Sequence, residues 1–564
     1  MRRNKVAGGM HLETFGLIIG GIGLFLLGMN LMTEGLKAMA GEKLKDILRR
    51  FTGGVYSAIL SGAVITGVIQ SSSAATFMTI GFVSAGLLSF SQSLGVIIGA
   101  NIGSTSTGWI VSVIGFQINM SMLALPLIGG GVLLRLISKN KWGPQGSAVT
   151  GFGLLFLGID VLQNGMSGFT AFFDLSRLQG ESWWWLPLLI GIGFLMTVVM
   201  QSSSAAVVTT LTALHTGAVD FNQAALLVIG QNVGTTVKAF LASIGGTTAA
   251  RRTAAGHILF NLITGLLAVV LLPVLVSFVM LVSEVFSLTD EAVQLAVFHT
   301  VFNLLGVVFI LMIYPYFKIM VKRLIPERKT ETYLGYLDES VAELGPVAVE
   351  ALRRTLRRMM RDCAAVTSSA LNTSPVTFEG NRVLNQVETE LVEMQKFLTK
   401  VSLNEPSASS EAYEARVSLV HAMDHTDRWV KALREGETYQ KALKEGQTEK
   451  FVYELQKICS RWIKASETAY TEEEKEEYGR KDPFGGDHQL VSYTEAQASK
   501  IAGMRKETRR EVLAGSVKDE LTVDDGIRAV QTVQWIDRLA YHMWRAAFHT
   551  QNTVDSKEKK DQSL

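Results

Sequence analysis

The chain has 564 residues, of which 48% are hydrophobic and 18% charged, with a formal net charge of +2 and two cysteines. The near-neutral balance excludes a surface built for nucleic acid, and two lone thiols, Cys363 and Cys459, exclude a disulfide framework. Composition shifts sharply near Pro326: residues 1–325 hold 18 Lys/Arg and 11 Asp/Glu, leaving 35 and 40 for an acidic, more polar remainder.

In chain order, the first part is a succession of apolar runs, near 14–33, 55–69, 74–90, 93–115, 119–138, 148–166, 184–200, 205–244, 254–283 and 294–317. Several fall short of the ~20 residues a full membrane crossing needs, which suits half-helices and re-entrant hairpins. The first run, Thr14 to Met32, leads into Glu34 and Lys37 without a small-residue cleavage pattern, so it is expected to stay attached.

Two runs are cut by the same polar group. Gln70-Ser71-Ser72-Ser73-Ala74-Ala75 recurs as Gln201-Ser202-Ser203-Ser204-Ala205-Ala206. Unsatisfied polar groups at membrane depth are costly unless they line a cavity or hold a ligand, so two matching interruptions call for a common cause. At a constant offset of 131 residues, Gln70–Thr105 and Gln201–Thr236 share 15 identities in 36 positions. The match ends on a second pair, Gly99-Ala100-Asn101-Ile102-Gly103-Ser104-Thr105 against Gly230-Gln231-Asn232-Val233-Gly234-Thr235-Thr236. Upstream, Gly23–Gly28 matches Gly153–Gly158 at an offset of 130. One duplicated unit therefore spans about 14–138 and again 148–270, with further helices to 317.

Repeats carrying broken helices at equivalent positions point to a transport site near the bilayer midplane. Each tetrad supplies one amide and three neutral hydroxyls, oxygen ligands suited to a hard monovalent cation. A broken helix also exposes N–H groups and the positive end of its dipole, which suit an anion. Gln70, Ser71, Ser72, Ser73, Asn101, Ser104 and Thr105, with Gln201, Ser202, Ser203, Ser204, Asn232, Thr235 and Thr236, are the candidate ion- and substrate-binding residues. Close helix packing through small residues is the alternative for a serine-rich membrane helix, and the duplication weighs against it. Carboxylates are scarce in these runs: Glu34 and Asp160 lie near the ends of equivalent spans, which favours a sodium-type coupling ion over a proton relay. Lys238 either offsets anion charge or snorkels. A twin H-x-x-F-N, His257 to Asn261 and His299 to Asn303, reads as hydrogen bonding between packed helices rather than substrate contact.

Charge sets an expected orientation. Lys37, Lys43, Lys45, Arg49 and Arg50 follow the first run, whereas the equivalent segment 164–182 has one basic residue, Arg177, beside Asp174 and Glu181. Equivalent segments on opposite sides mean inverted units. Arg251, Arg252, Lys318, Lys322 and Arg323 then put the second part in the cytoplasm, while Arg2, Arg3 and Lys5 leave the side of the N-terminus open. Trp183, Trp184 and Trp185 read as an interfacial anchor.

Beyond a linker at 326–345, residues 346–564 read as an antiparallel helical bundle. Leu352, Leu356, Met359, Cys363 and Val366 form one seam, and Leu384, Val387, Leu391, Met394, Leu398 and Val401 another. Further helices are expected near 411–435, 446–469, 490–516 and 524–550, separated by loops at 403–410 and 471–489. His421 to Arg428 and Trp535 to His542 mix acids and histidines at helical spacing, favouring a polar face over a metal site.

With its two Q-S-S-S motifs, each followed by G-x-N-[IV]-G-[ST]-T, the chain resembles the type II sodium–phosphate cotransporter family over about residues 14–320. Ser104 stands where that family has the first Thr of G-T-T, which keeps the hydroxyl. The helical remainder, including Leu337-Asp338 to Met360, is similar to the PhoU-type domain of bacterial members, although the acidic E/D-x-x-x-D metal motif is not clearly reproduced. The resemblance implies an all-α protein: a polytopic membrane domain of two inverted repeats at 1–325, then a cytosolic bundle. It also implies inward sodium-coupled phosphate transport in the lipid of the cytoplasmic membrane, Na+ as coupling ion with no other cofactor, and a homodimer. A metal site in the bundle stays unassigned, and a cytosolic regulatory partner is compatible with it. A membrane-tethered phosphate sensor and a transporter of another oxyanion are the rival readings. An intramembrane serine hydrolase is disfavoured, because no G-x-S-x-G elbow and no paired acid occur.

Overall fold

The computed structural model describes residues 2–50, 54–115, 121–137, 142–170, 184–244, 246–326, 332–337, 339–342, 345–372, 376–401, 410–439, 443, 446–467, 487–517 and 522–551. Expectations for 171–182, Trp183, residues 327–331, 338 and 343–344 of the linker, and most of the loops at 403–410 and 471–489 lie outside them. Regular structure among the described residues is entirely helical. The chain divides into two compact units, one of residues 1–83 with 87–328, and a second of 329–564 with the short segment 84–86.

The first unit begins with α1 (Arg2–Arg50), one continuous helix through both the apolar run and the basic segment. The repeat then shows itself as a repeated order of elements. α2 (Val55–Ile69), α3 (Ser72–Ser84), α4 (Phe90–Ser104) and α5 (Ser106–Trp109), the last continuing as a π-helical turn at Ile110–Gly115, lead to α6 (Ser121–Ile137). After α7 (Gly143–Thr170), the counterpart of α1, come α8 (Trp185–Met200), α9 (Ser203–His215), α10 (Phe221–Gly234) and α11 (Thr236–Ala242), the counterparts of α2 to α5. α12 (Thr248–Val270), α13 (Leu272–Val285), α14 (Glu291–Met312) and α15 (Tyr314–Leu324) complete the unit. Six helical stretches among the described residues are long and apolar enough to cross a membrane: Leu12–Met39, Phe90–Gly115, Gly143–Gly168, Phe221–Ala242, Thr248–Val270 and Glu291–Met312. Apolar helices such as Val55–Ile69 and Ser72–Ser84 are shorter than a crossing.

Local chemistry repeats with the backbone. Ser89 and Gln92 form a capping box that starts α4, and Asp220 and Gln223 form one that starts α10. Gly86 and Gly217 take positive φ values of 69° and 74° at the equivalent turns before them.

The counterparts α1 and α7 pack against each other in opposite directions. A Cβ at Gly21 would fall 2.6 Å from the Leu162 nitrogen, one at Gly28 would meet Leu155, and one at Gly35 would meet Ala148. The reciprocal set is present: Gly151 against Met32, Gly158 against Phe25, Gly165 against Ile18. Shifting the first set of contacts by the repeat offset of 130 yields the second, so the interface is self-complementary in the manner of a two-fold axis. Glycine at these seven-residue intervals brings the two backbones together. Phe25, Phe156, Leu211, Val228, Phe298 and Phe302 belong to the core behind this contact.

The second unit places Glu390 so that its carboxylate accepts from the Tyr333 and Leu334 amides, 2.7 and 3.1 Å away, seating the lead-in segment Tyr333–Tyr336. α16 (Glu339–Ala342), α17 (Gly345–Asn372), α18 (Phe378–Lys400), α19 (Ser410–Arg434), α20 (Gly446–Glu467), α21 (Asp487–Val517) and α22 (Val523–His549) follow, the last four within three residues of the expected bounds. Leu352, Leu356, Met359 and Cys363 are fully buried, as are Leu384, Val387 and Met394, so both expected seams face a core. Trp429 donates to Thr367 Oγ1 at 3.2 Å, and Trp535 to the Ala432 carbonyl at 2.6 Å, which satisfies the two largest fully buried side chains.

Candidate functional site

Both tetrads sit at a break in the helix. α2 ends at Ile69 and α8 at Met200; Gln70 and Gln201 then take left-handed conformations, φ 58° and 51°. For a residue with a Cβ that conformation costs about 1–2 kcal/mol, and here it is adopted twice at equivalent positions. The first serine of each motif caps the helix that restarts: Ser71 Oγ accepts from the Ala74 amide and Ser202 Oγ from the Ala205 amide, both at 3.2 Å. Ser72 and Ser203 open α3 and α9.

The second paired motif makes the other break. α4 gives way to α5 at Thr105, and α10 to α11 at Thr235. The hydroxyls there donate to carbonyls three residues back: Ser104 to Asn101 at 2.7 Å, Thr105 to Ile102 at 2.8 Å, Thr235 to Asn232 at 2.7 Å and Thr236 to Val233 at 2.8 Å. Each proton is thereby committed to the backbone, and the oxygen lone pairs remain available to a cation or a donor.

The breaks meet around one small cavity of about 10 Å³, on the scale of a single water, lined by Ser104, Thr107, Ser203, Ser204, Val207, Asn232 and His299. Thr107 and Ser204, one from each unit, have their hydroxyls 3.3 Å apart. Thr107 also donates to Gln70 Oε1 at 3.0 Å, and Gln70 Nε2 donates to Ser106 Oγ at 2.9 Å, tying the first tetrad to α5. Asn232 Nδ2 donates to Asn303 Oδ1 at 3.4 Å, and the Trp109 indole donates to Thr300 at 2.9 Å, which ties α10 and α5 to α14.

Four of the candidates, Ser104, Ser203, Ser204 and Asn232, line the cavity. Gln70 reaches it through Thr107, whereas Asn101 turns to the Ile97 carbonyl of its own helix and Gln201 is exposed. Besides the apolar Val207, two polar lining residues are not apparent from the sequence. Thr107 lies just past the second motif, and its equivalent is Lys238, so the repeat comparison hides it. His299 belongs to the H-x-x-F-N twin, whose pattern suggests bonding between helices. Asn303 meets that expectation by accepting from Asn232 on α10, and Asn261 and Asn303 also donate to the carbonyls of His257 and His299 one turn back. His299 lines the cavity with a buried Nδ1 that has no hydrogen-bond partner among the described residues. Its helix α14 lies outside both repeats, and only packing brings it in.

In the bundle, the two histidine-bearing segments come together. His425 Nδ1 lies 3.1 Å from His542 Nδ1, and the His425 ring stacks on His549 with centroids 5.9 Å apart. Burial, with Arg545 and neighbouring histidines, lowers His549 to about 4, and burial with His425 and nearby arginines does the same to His542. Among the described residues, no group of three or more His, Cys, Asp or Glu is placed to hold a metal ion.

Apolar helices broken twice around a shared cavity have the architecture of a membrane transporter, and the family to which the chain belongs is one of transporters, not enzymes. The chain belongs to the Na+/Pi-cotransporter family, whose family model matches residues 24–164 and 187–313. It is 32% identical to an uncharacterized protein, YqeW, of Bacillus subtilis over 54% of this chain and 96% of that one. It is 28% identical to the putative inorganic phosphate export protein YjbB of Escherichia coli, over 60% of this chain and 62% of the relative. A shorter match, 29% over 17% of the chain, is to sodium-dependent phosphate transport protein 2A of Rattus norvegicus. No solved structure matches the chain significantly.

Proposed function

We propose that the protein couples sodium to the movement of inorganic phosphate across the cytoplasmic membrane, with both ligands held where the second tetrad meets the second paired motif of the first unit. The observation that carries this reading is the shared cavity, to which one unit contributes Ser104 and Thr107 and the other Ser203, Ser204 and Asn232. Hydroxyl oxygens suit sodium, and the free amides that begin α9, with the Asn232 amide and His299, suit phosphate. A void of about 10 Å³ admits an ion but not a tetrahedral oxyanion, so phosphate binding requires the hairpins to separate.

Inverted units are supported by the antiparallel, self-complementary contact of α1 with α7, because equivalent helices related by an axis in the membrane plane must run in opposite directions. The bundle is read as a cytoplasmic, PhoU-like regulatory domain, and a homodimer as the working assembly. The relatives named for phosphate export favour a second reading of direction, since a coupled carrier runs either way according to its gradients. Labelled-phosphate flux into and out of proteoliposomes, with sodium on one side, tests both readings. Flux that follows the sodium gradient is expected, and phosphate flux that ignores sodium would refute the coupling.

A further inference from the structure

The two breaks share a backbone but not their clamps. In the first unit the Gln70 side chain is buried and held from both ends, by Ser106 Oγ and Thr107 Oγ1. At the repeat offset of 131 residues, those two hydroxyls become Val237 and Lys238. No hydroxyl clamp is possible there, and Gln201 is exposed. Instead the half-buried Lys238 ammonium donates to the Gln201 backbone carbonyl, at the left-handed residue where α8 stops. Lys238 makes no ion pair with an acidic side chain among the described residues.

The carbonyls of a helix that stops inside the membrane lack their usual partners and are natural ligands for a monovalent cation. An ammonium without a counter-charge at that depth is expensive unless it does something there. We infer that Lys238 is a tethered cation that occupies, in the second unit, the place a coupling sodium would take, so that the two halves of the site are chemically unequal. This inference rests on the transport reading above. Its consequence is stoichiometric. A covalently held charge returns with the empty carrier, whereas a sodium ion is delivered, so the protein moves one sodium fewer per phosphate than its duplicated backbone has room for.

The test measures the ratio of labelled sodium to labelled phosphate moved by the full chain in proteoliposomes, for the wild type, Lys238→Arg and Lys238→Thr. Lys238→Thr installs the residue of the first unit, and adding Val237→Ser recreates the complete Ser-Thr clamp should the single change fold poorly. One additional sodium per phosphate is expected in Lys238→Thr or the double variant, while Lys238→Arg keeps the wild-type ratio. At a fixed tenfold sodium gradient and zero membrane potential, that extra ion raises the limiting phosphate accumulation by about tenfold. Equal ratios in the wild type and in the Thr variants, with phosphate still moving, overturn the tethered cation and leave the transport site standing. A wild type that moves phosphate without sodium, beside a Thr variant that requires it, upholds the tethered cation and overturns sodium coupling in the natural protein. No phosphate flux or binding in any variant overturns both.

Discussion

The membrane unit and the helical bundle solve packing in opposite ways. In the bundle, Leu, Met and Cys fill the seams, and charged pairs such as Arg505–Asp537 at 2.6 Å lie at the margin. In the membrane unit, α1 and α7 meet through glycine, and buried polar side chains occur both at the helix breaks, as Gln70 and Thr105, and along the spans, as Thr210, His257 and Asn303. Water drives apolar seams together in the bundle, whereas lipid offers no such drive, so close backbone approach and satisfied hydrogen bonds must hold the membrane helices.

The largest expected effect separates the two units. Leu356→Ala opens a cavity in the bundle core, and about 2–5 kcal/mol of stability is lost there. Bundle unfolding, followed by circular dichroism, should drop accordingly, while phosphate affinity of the surviving protein stays the same. A parallel loss of phosphate affinity would show that the bundle shapes the site.

Next comes Gly28→Ala. Its Cβ would meet the Leu155 backbone, and overpacking of this kind costs about 1–3 kcal/mol. Reduced thermal stability in detergent is expected, with a matching loss for Gly158→Ala, because the contact is self-complementary. Unequal effects on the two variants would break the pseudo-two-fold account.

Ser204→Ala removes a cavity oxygen and should cost about 1–3 kcal/mol of binding, roughly fivefold to more than a hundredfold in affinity. Ser71→Ala, by contrast, removes a helix cap and should lower stability by about 1 kcal/mol. Phosphate titrations and thermal melts of both variants check that division of labour.

A further expected effect, confined to the bundle, is on pH. His542 and His549 titrate near 4 when folded and near 6.5 when unfolded, so the unfolded bundle binds more protons between those values. Bundle stability should be level above about pH 6.5 and fall as the pH drops toward 4. His542→Gln should flatten that slope in melts recorded across the window, and an unaltered slope would exclude His542 as its source.

Both breaks are legible in the sequence because a polar tetrad interrupts an apolar run twice at one offset, and the seams at Leu352 and Leu384 because helical periodicity survives without tertiary help. The runs at 205–244 and 254–283 do not reveal their division into several helices. A left-handed Gln leaves a clear polar signal, whereas a break at Thr235 or at Leu271 before Pro273 leaves only one residue to notice. His299 and Thr107 are invisible as lining residues, since one arrives through packing of α14 and the other has no like residue in the repeat.

The central claim is that two duplicated breaks build one site. It is tested most directly by titrating sodium and phosphate, each in the presence and absence of the other, into the purified wild type, Ser104→Ala and Ser203→Ala. Coupling between ligands is reciprocal, so a substitution in either unit should weaken both ligands in the same solution. Affinities for both ligands unchanged in both variants, with stability alone reduced, would contradict the shared site.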